Sequence, residues 1–317
     1  KAVPRFDTKM KMRWDNEWLY VGAILYEPQI WGNLTEDNTV IFYDNDFEIF
    51  LNPDGTTHYY KEYEMNAFNK TWDLCLNKPY SDHGYENSTR VFGSSGWTMI
   101  PPLTCGTYIN GSINNPTQYN YYWTVEVKIP IMDTLYNETQ IIPGSKNGTF
   151  WRINFSRVEW HVIVNSNTTQ PQNTNGYGYQ KILGIPEDNW VWSPQGIVDM
   201  HQPDRWGILQ FSNITNPTVH QQPIIYYDEW PIREMAMSIY YAEKQYMAAT
   251  GHTWTDNLAA LQPYTTTPLD GTCLLKPACI ELKTNSTGNI IGYIATVMNN
   301  KYTATVTQDR YLVVQPN

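Results

Sequence analysis

From Lys9 to Phe211 the chain is a series of short alternating segments, each closed by a turn signal, with no long helical period between them. Lys9 to Trp14 puts Met10, Met12 and Trp14 on one side and Lys9, Lys11 and Arg13 on the other, the two-residue period of a half-buried strand. Asp15-Asn16-Glu17 turns the chain into a second strand, Trp18 to Tyr26. Asp46 to Leu51 points Phe47, Ile49 and Leu51 inward and Asp46, Glu48 and Phe50 the other way, before the turn signal Asn52-Pro53-Asp54-Gly55. Tyr59 to Asn66, Trp123 to Ile129, Trp151 to Ser156 and Ile208 to Phe211 repeat the pattern. Strands bounded by turns predict a mainly β chain built as an antiparallel sandwich. The 13 Trp and 24 Tyr suit such a fold, because large rings favour pleated, half-buried surfaces. Two stretches rich in Asn, Gly, Ser, Thr and Pro, Pro79 to Pro116 and Asn165 to Asn189, read as long loops.

The period changes after Phe211. Asn213 to Gln222 reads as a linker, and a helix follows with Asp228 as N-cap, Pro231 in the first turn and Gly251 as the stop. Ile232, Met235, Ala236, Ile239, Glu243, Tyr246 and Met247 form its largely apolar stripe. A second short helix is expected over Asp256 to Leu261. Strands are then expected over Cys279 to Lys283, Asn289 to Val297, Tyr302 to Thr307 and Arg310 to Val314. This predicts two domains: a sandwich with its linker over 1–222, and a small α+β domain, a helix on a four-stranded meander, over 223–317.

The charge pattern excludes two classes of partner. The net charge is −10 with 16% charged residues, and no basic stripe suited to nucleic acid is visible. No apolar run reaches the roughly 18 residues of a membrane span. Ten N-x-S/T sequons begin at Asn33, Asn69, Asn87, Asn110, Asn137, Asn147, Asn154, Asn167, Asn213 and Asn285. Nine are expected to be exposed glycan acceptors of a secreted chain. Asn154 sits inside an apolar strand pattern and reads as structural. Cys75, Cys105, Cys273 and Cys279 form no CxxC pair and have no histidine cluster beside them, which argues against zinc. Three pairings are open. The simplest joins Cys273 to Cys279 across Pro277 and Cys75 to Cys105, and four buried thiols is the alternative.

The chain has no G-x-S-x-G, no H-E-x-x-H, no P-loop and no G-x-G-x-x-G. Asp46, Glu48, Glu62, Glu64, Glu126 and Glu159 lie on strands, but the carboxylate separation that a glycosidase needs is not readable from sequence. A binding surface is better supported. Asp46, Glu48, Glu64, Asn66, Glu126, Arg152 and Asn154 all lie opposite the apolar set, and on one sheet face they would form a concentrated polar patch. Trp31, Phe42, Tyr43, Trp190, Trp192 and Trp206 stand at strand ends, where rings can stack on a sugar. The competing reading makes these rings plugs of the sandwich edges and these charges structural ion pairs.

The runs MRWDNEWLYVGAILYEPQIWGNLTEDNTVIFYDNDFEIFLNPDGTTHYYKEYEMNAFNKTWDL, WTVEVKIP, WRINFSRVEW and EDNWVWSPQGIVDMHQPDRWGILQF resemble carbohydrate-binding module family 9-like domains. The closer resemblance is to secreted bacterial proteins that carry such a domain with a short C-terminal extension, which the helix from Asp228 also resembles. The likeness covers about residues 5–212. It implies a β-sandwich, an extracellular location and glycan binding without catalysis, with structural calcium in some members. The two rings that sandwich a sugar in such modules fall at Phe42 and Met200, so the second ring is absent unless Trp190, Trp192 or Trp206 replaces it. The acidic partner falls at Glu48, an expected arginine at Glu64 and an amide at Asn154. The expected site is therefore Phe42, Glu48, Glu64, Arg152, Asn154, Trp190 and Trp192. The family's opening strand, with its IDG-x-LDE-like pattern, has no counterpart here. An unpaired sheet edge there suggests an alternative role, a subunit of an extracellular filament or surface layer assembled by strand complementation.

Overall fold

The computed structural model describes residues 3–100, 102–131, 149–165, 178–212, 226–271 and 274–317. Contacts divide the chain into two units: Lys1–Asp54, Tyr59–Asn77 and Tyr85–Ser212 in the first, and Gly55–His58, Lys78–Gly84 and Asn213–Asn317 in the second.

The first unit is mainly β, with two antiparallel sheets. The smaller has the order β1 (Thr8–Trp14), β2 (Trp18–Tyr26), β8 (Tyr122–Pro130), β7 (Thr104–Asn110). The larger runs β12 (Asp188–Val191), β9 (Phe150–Glu159), β3 (Asp46–Asn52), β4 (Tyr60–Asn66), β5 (Thr71–Leu76), β6 (Glu86–Asn87), and β13 (Gly207–Gln210) also pairs with β9. A separate two-stranded ribbon joins β10 (Val162–Val164) to β11 (Tyr179–Lys181). Alternation decides what lies between the sheets. Leu19, Val21, Ala23 and Leu25 of β2 and Trp123, Val125, Val127 and Ile129 of β8 share a core with Phe47, Ile49 and Leu51 of β3, Tyr63 and Met65 of β4, and Ile153 and Phe155 of β9.

The expected loop over Pro79 to Pro116 is corrected. It contains β6, a helical turn at Thr89–Phe92 and the edge strand β7. The inward face of β7 is carried by Cys105, Thr107 and Ile109, a faint apolar signal, and pairing with β8 makes it a strand. The stretch Asn165 to Asn189 likewise holds β11 and the start of β12, with residues 166–177 outside the described ones.

No disulfide joins Cys75, Cys105 and Cys279, so the expected Cys75–Cys105 bridge is also corrected. Cys75 lies on β5 and Cys105 on β7, in the two facing sheets. Both side chains reach the same core, but each remains a thiol. Burial pushes the Cys105 thiol up to about 12. Cys273 lies outside the described residues.

The second unit packs the helix Trp230–Thr250 on an antiparallel meander of β14 (Cys279–Thr284), β15 (Ile290–Met298), β16 (Tyr302–Thr307) and β17 (Leu312–Pro316). Pro231 opens the helix, and Gly251 ends it at φ +71°, donating its N–H to the Met247 carbonyl, a left-handed stop that glycine adopts without strain. The N-cap is Glu229 and not Asp228. Asp228 instead pairs with Lys301 at 2.6 Å. Ile232, Ala236, Ile239 and Tyr240 bury against Tyr293, Ala295, Val306 and Leu312.

Candidate functional site

The outer face of the larger sheet is polar at its centre and roofed. Asp46 and Glu48 alternate on β3, Glu62 and Glu64 on β4, and Arg152, Asn154 and Ser156 on β9. Pairing sets Glu48 opposite both Glu64 and Ser156, and Asp46 opposite Asn66. The segment 33–44 covers this face on one side. Asp44 anchors it by accepting the N–H groups of Asn33 and Leu34 and the Asn66 amide, and Phe42 donates its N–H to Glu64 Oε2 at 2.9 Å. The segment 193–206 covers the other side. Asn154 exchanges hydrogen bonds with the Ser193 backbone at 3.0 Å in both directions, and Arg152 Nη1 donates to the Trp206 carbonyl at 2.9 Å. An apolar cluster of Ile41, Phe50, Tyr60, Trp72, Leu74, Leu76 and Trp206, with Phe42 and Met200 packed against it, seals the flank.

Four carboxylates are buried under this roof. Burial is the first cause that raises each, with Glu48 pushed up to about 7 and Asp46, Glu62 and Glu64 held well above the usual range. For those last three, repulsion from neighbouring carboxylates comes next. His201 Nδ1, 4.0 Å from Glu62 Oε2, supplies little countercharge, because burial lowers the imidazole to about 4. Such groups are costly unless matched.

The expected site residues are divided by the sheet. Phe42, Glu48, Glu64, Arg152 and Asn154 gather on the roofed face, each of the four polar ones no more than 4% exposed. Trp190 pairs with Arg157 and Trp192 donates its N–H to the Phe155 carbonyl, so both belong to the opposite, core-directed face. Of the three candidates for a second ring only Trp206 shares a cluster with Phe42 and Met200, and it is 1% exposed. Glu126 is on neither face of this sheet. It projects from β8 in the smaller one.

On the core-directed side a second set of buried charged groups is hydrogen-bonded throughout and shares one cation. Arg157 reaches Glu159 Oε2 at 2.9 Å and Glu27 Oε2 at 3.4 Å. Asn45 donates to Glu27 Oε1 and Glu159 Oε1, and Trp123 Nε1 donates to Glu27 Oε2. The Arg157 guanidinium also lies over the Trp190 and Phe6 rings. Trp190 here stacks on a protein cation.

The smaller sheet carries an open feature that the sequence reading missed. Its outward side chains form three cross-strand rows: Arg13, Tyr20, Lys128, Thr104; then Lys11, Gly22, Glu126, Gly106; then Lys9, Ile24, Thr124, Tyr108. The middle row holds two glycines, and the sheet surface drops there into a groove of about 950 Å³ lined by Lys11, Arg13, Tyr20, Gly22, Gly106 and Glu126 among others. A Cβ at Gly106 would meet nothing within 4 Å, and at Gly22 only the Val125 carbonyl oxygen at 3.9 Å. Neither glycine is therefore required by packing, and both leave the sheet surface open. Asp15 fixes the rim: it accepts the Tyr20 hydroxyl at 2.8 Å and the N–H groups of Glu17 and Trp18, and Lys128 Nζ lies 3.7 Å from the Trp18 ring centre.

Parts of the chain align with solved structures described as carbohydrate-binding. A candidate carbohydrate-binding protein from Bacteroides uniformis aligns at 15% identity and TM-score 0.43, over 65% of this chain and 79% of its own. A family 9 carbohydrate-binding module from Caldicellulosiruptor kristjanssonii aligns in its glucose complex at 19% identity and TM-score 0.31, over 50% and 62%. Its cellotriose complex aligns at 16% identity and TM-score 0.39, over 70% and 84%. No family model and no curated protein matches the chain. Among the described residues no helix is long and apolar enough to cross a membrane.

Proposed function

We propose that the protein is an extracellular, non-catalytic glycan-binding protein whose ligand lies in the glycine-floored groove of the smaller sheet. The groove carries this reading: β2 and β7 give up their side chains at Gly22 and Gly106, on either side of Glu126 in β8, and a hydrogen-bonded tyrosine and charged groups stand at the rim. That combination of a flat ring with fixed polar groups is what a pyranose needs. The rows flanking the glycines stand about 13 Å apart at roughly 3.3 Å per residue, room for one sugar chain. Four cations (Lys9, Lys11, Arg13, Lys128) face three carboxylates (Asp15, Glu17, Glu126) on this side of a chain whose net charge is −10. The groove therefore favours a glycan with carboxylate or sulfate groups over a neutral one. The resemblance in sequence and the many sequons support the same function and location.

Affinity electrophoresis in gels containing polyuronate or neutral β-glucan tests this. Polyuronate should retard the protein, less so as salt rises. Gly106→Trp, which fills open space, should abolish the retardation while leaving the melting temperature unchanged. Undiminished binding by that variant places the site elsewhere. Strand complementation remains the alternative, and among the described residues no strand pairs with the outer side of β1. Lys9, Lys11 and Arg13 line that edge, however, and like charges there oppose a second copy.

A further inference from the structure

The buried carboxylates of the larger sheet carry more negative charge than the protein around them neutralises. One oxygen from each of Asp46, Glu48 and Glu64 lies within 4.8 Å of the others. In the core-directed set nearby, Arg157 pairs with both acids and all four oxygens of Glu27 and Glu159 accept a hydrogen bond. Here Asp46 Oδ2 and Glu48 Oε2 are buried with no partner. Two further oxygens outside that trio are in the same condition: Glu62 Oε2 and Ser156 Oγ. Ser156 is 1% exposed and stands directly across from Glu48, and Glu62 is 4% exposed and shares the outward face of β4 with Glu64. Among the described residues no ion pair involves Asp46, Glu48 or Glu64. An unmatched buried polar atom costs about 1–3 kcal/mol, and more when charged, so four of them on one face call for a common partner.

We propose that Asp46, Glu48 and Glu64, with Ser156 Oγ beside them and the Glu62 carboxylate completing the charge, hold one divalent cation, with Ca²⁺ preferred. The donors are all hard oxygens. The trio includes no imidazole nitrogen and no thiolate, the ligands that zinc and copper favour. Calcium binds six to eight oxygens at about 2.3–2.6 Å, so donors on opposite sides of it stand roughly 5 Å apart, in keeping with the trio's spacing. Magnesium keeps several waters and needs strict octahedral geometry, which a roofed, protein-lined face satisfies poorly. The ion would link β3, β4 and β9, the central strands of the sheet. Through Glu64, which accepts the Phe42 N–H, it would also hold the segment 33–44 in place.

The test uses the full chain, stripped with EDTA and desalted, by calorimetric titration with CaCl₂ or MgCl₂ and by thermal unfolding in each. The expected result is one Ca²⁺ per chain, a melting temperature that rises with Ca²⁺, and Mg²⁺ at least tenfold weaker. The double variant Asp46→Asn/Glu48→Gln should melt higher than the metal-free wild type, since it removes repulsion, and should bind Ca²⁺ at least tenfold more weakly. Ser156→Ala leaves all four carboxylates in place and should weaken Ca²⁺ several-fold, which keeps the test decisive if the double variant misfolds. Absence of Ca²⁺ binding by the wild type, or undiminished binding by the variants, overturns the proposal. Equal binding of Mg²⁺ overturns the preference for calcium.

Discussion

Glu243→Gln should make the second unit more stable at alkaline pH and change little in acid. Glu243 projects from the helix into the core beneath Tyr293 and is 1% exposed. Its carboxylate accepts only long bonds, 3.4 and 3.3 Å, from the Thr255 N–H. Burial raises it from the ordinary 4.5 to about 7, so the folded unit prefers the neutral acid. Between these values folding takes up a proton and stability falls as pH rises. The contribution is complete below about 4.5 and is lost as pH climbs through 7. At about 1.4 kcal/mol for each tenfold change in proton affinity, the ionised carboxylate costs the folded state roughly 1 kcal/mol at pH 5 and roughly 3 at pH 8, as upper limits. Glutamine keeps an oxygen for the Thr255 N–H and cannot ionise, so the variant should gain those amounts over wild type. Urea unfolding at the two pH values, followed by the far-ultraviolet circular dichroism of the long helix Trp230–Thr250, measures the difference. A gain that is the same at pH 5 and pH 8 would refute the reasoning.

Arg157→Met should cost about 3–5 kcal/mol in chemical denaturation, because it strands Glu27 and Glu159 in the interior without their cation. A smaller loss would mean that Asn45 and Trp123 suffice to hold the two acids. Asn154 should carry no glycan when the protein is expressed through a glycosylating secretory pathway and mapped by mass spectrometry, since its amide is fully buried and bonded to Ser193. Exposed Asn69 and Asn285 are the described sequons best placed to be occupied, and a glycan on Asn154 would contradict the arrangement of β9.

Much of the fold was legible because strand alternation and helix punctuation are local. The inward set Phe47, Ile49 and Leu51 follows from the pleat alone, and Gly251 stops the helix because glycine takes the left-handed turn that returns its N–H to the Met247 carbonyl without strain. The same reading identified Asn154 as a structural residue. It missed β7, whose inward residues are small or polar, so that hydrogen bonding to β8 had to supply what hydrophobicity did not. The candidate site was legible only in part. Glu48, Glu64, Arg152 and Asn154 do share a face, yet Glu126, with the same alternation, belongs to the other sheet.

Alternation states which side of its own strand a residue takes, and it carries no information about which strand lies alongside. Sequence by itself therefore determined a mainly β chain with a helix-on-meander unit, and it located the acidic positions. Tertiary pairing decided that Gly22, Glu126 and Gly106 fall in one row, that Trp190 and Trp192 turn away from Glu48, and that the acids lie beneath two covering segments. Those relations join residues up to a hundred or more positions apart. They depend on sheet order and register, which contacts distant in the chain select.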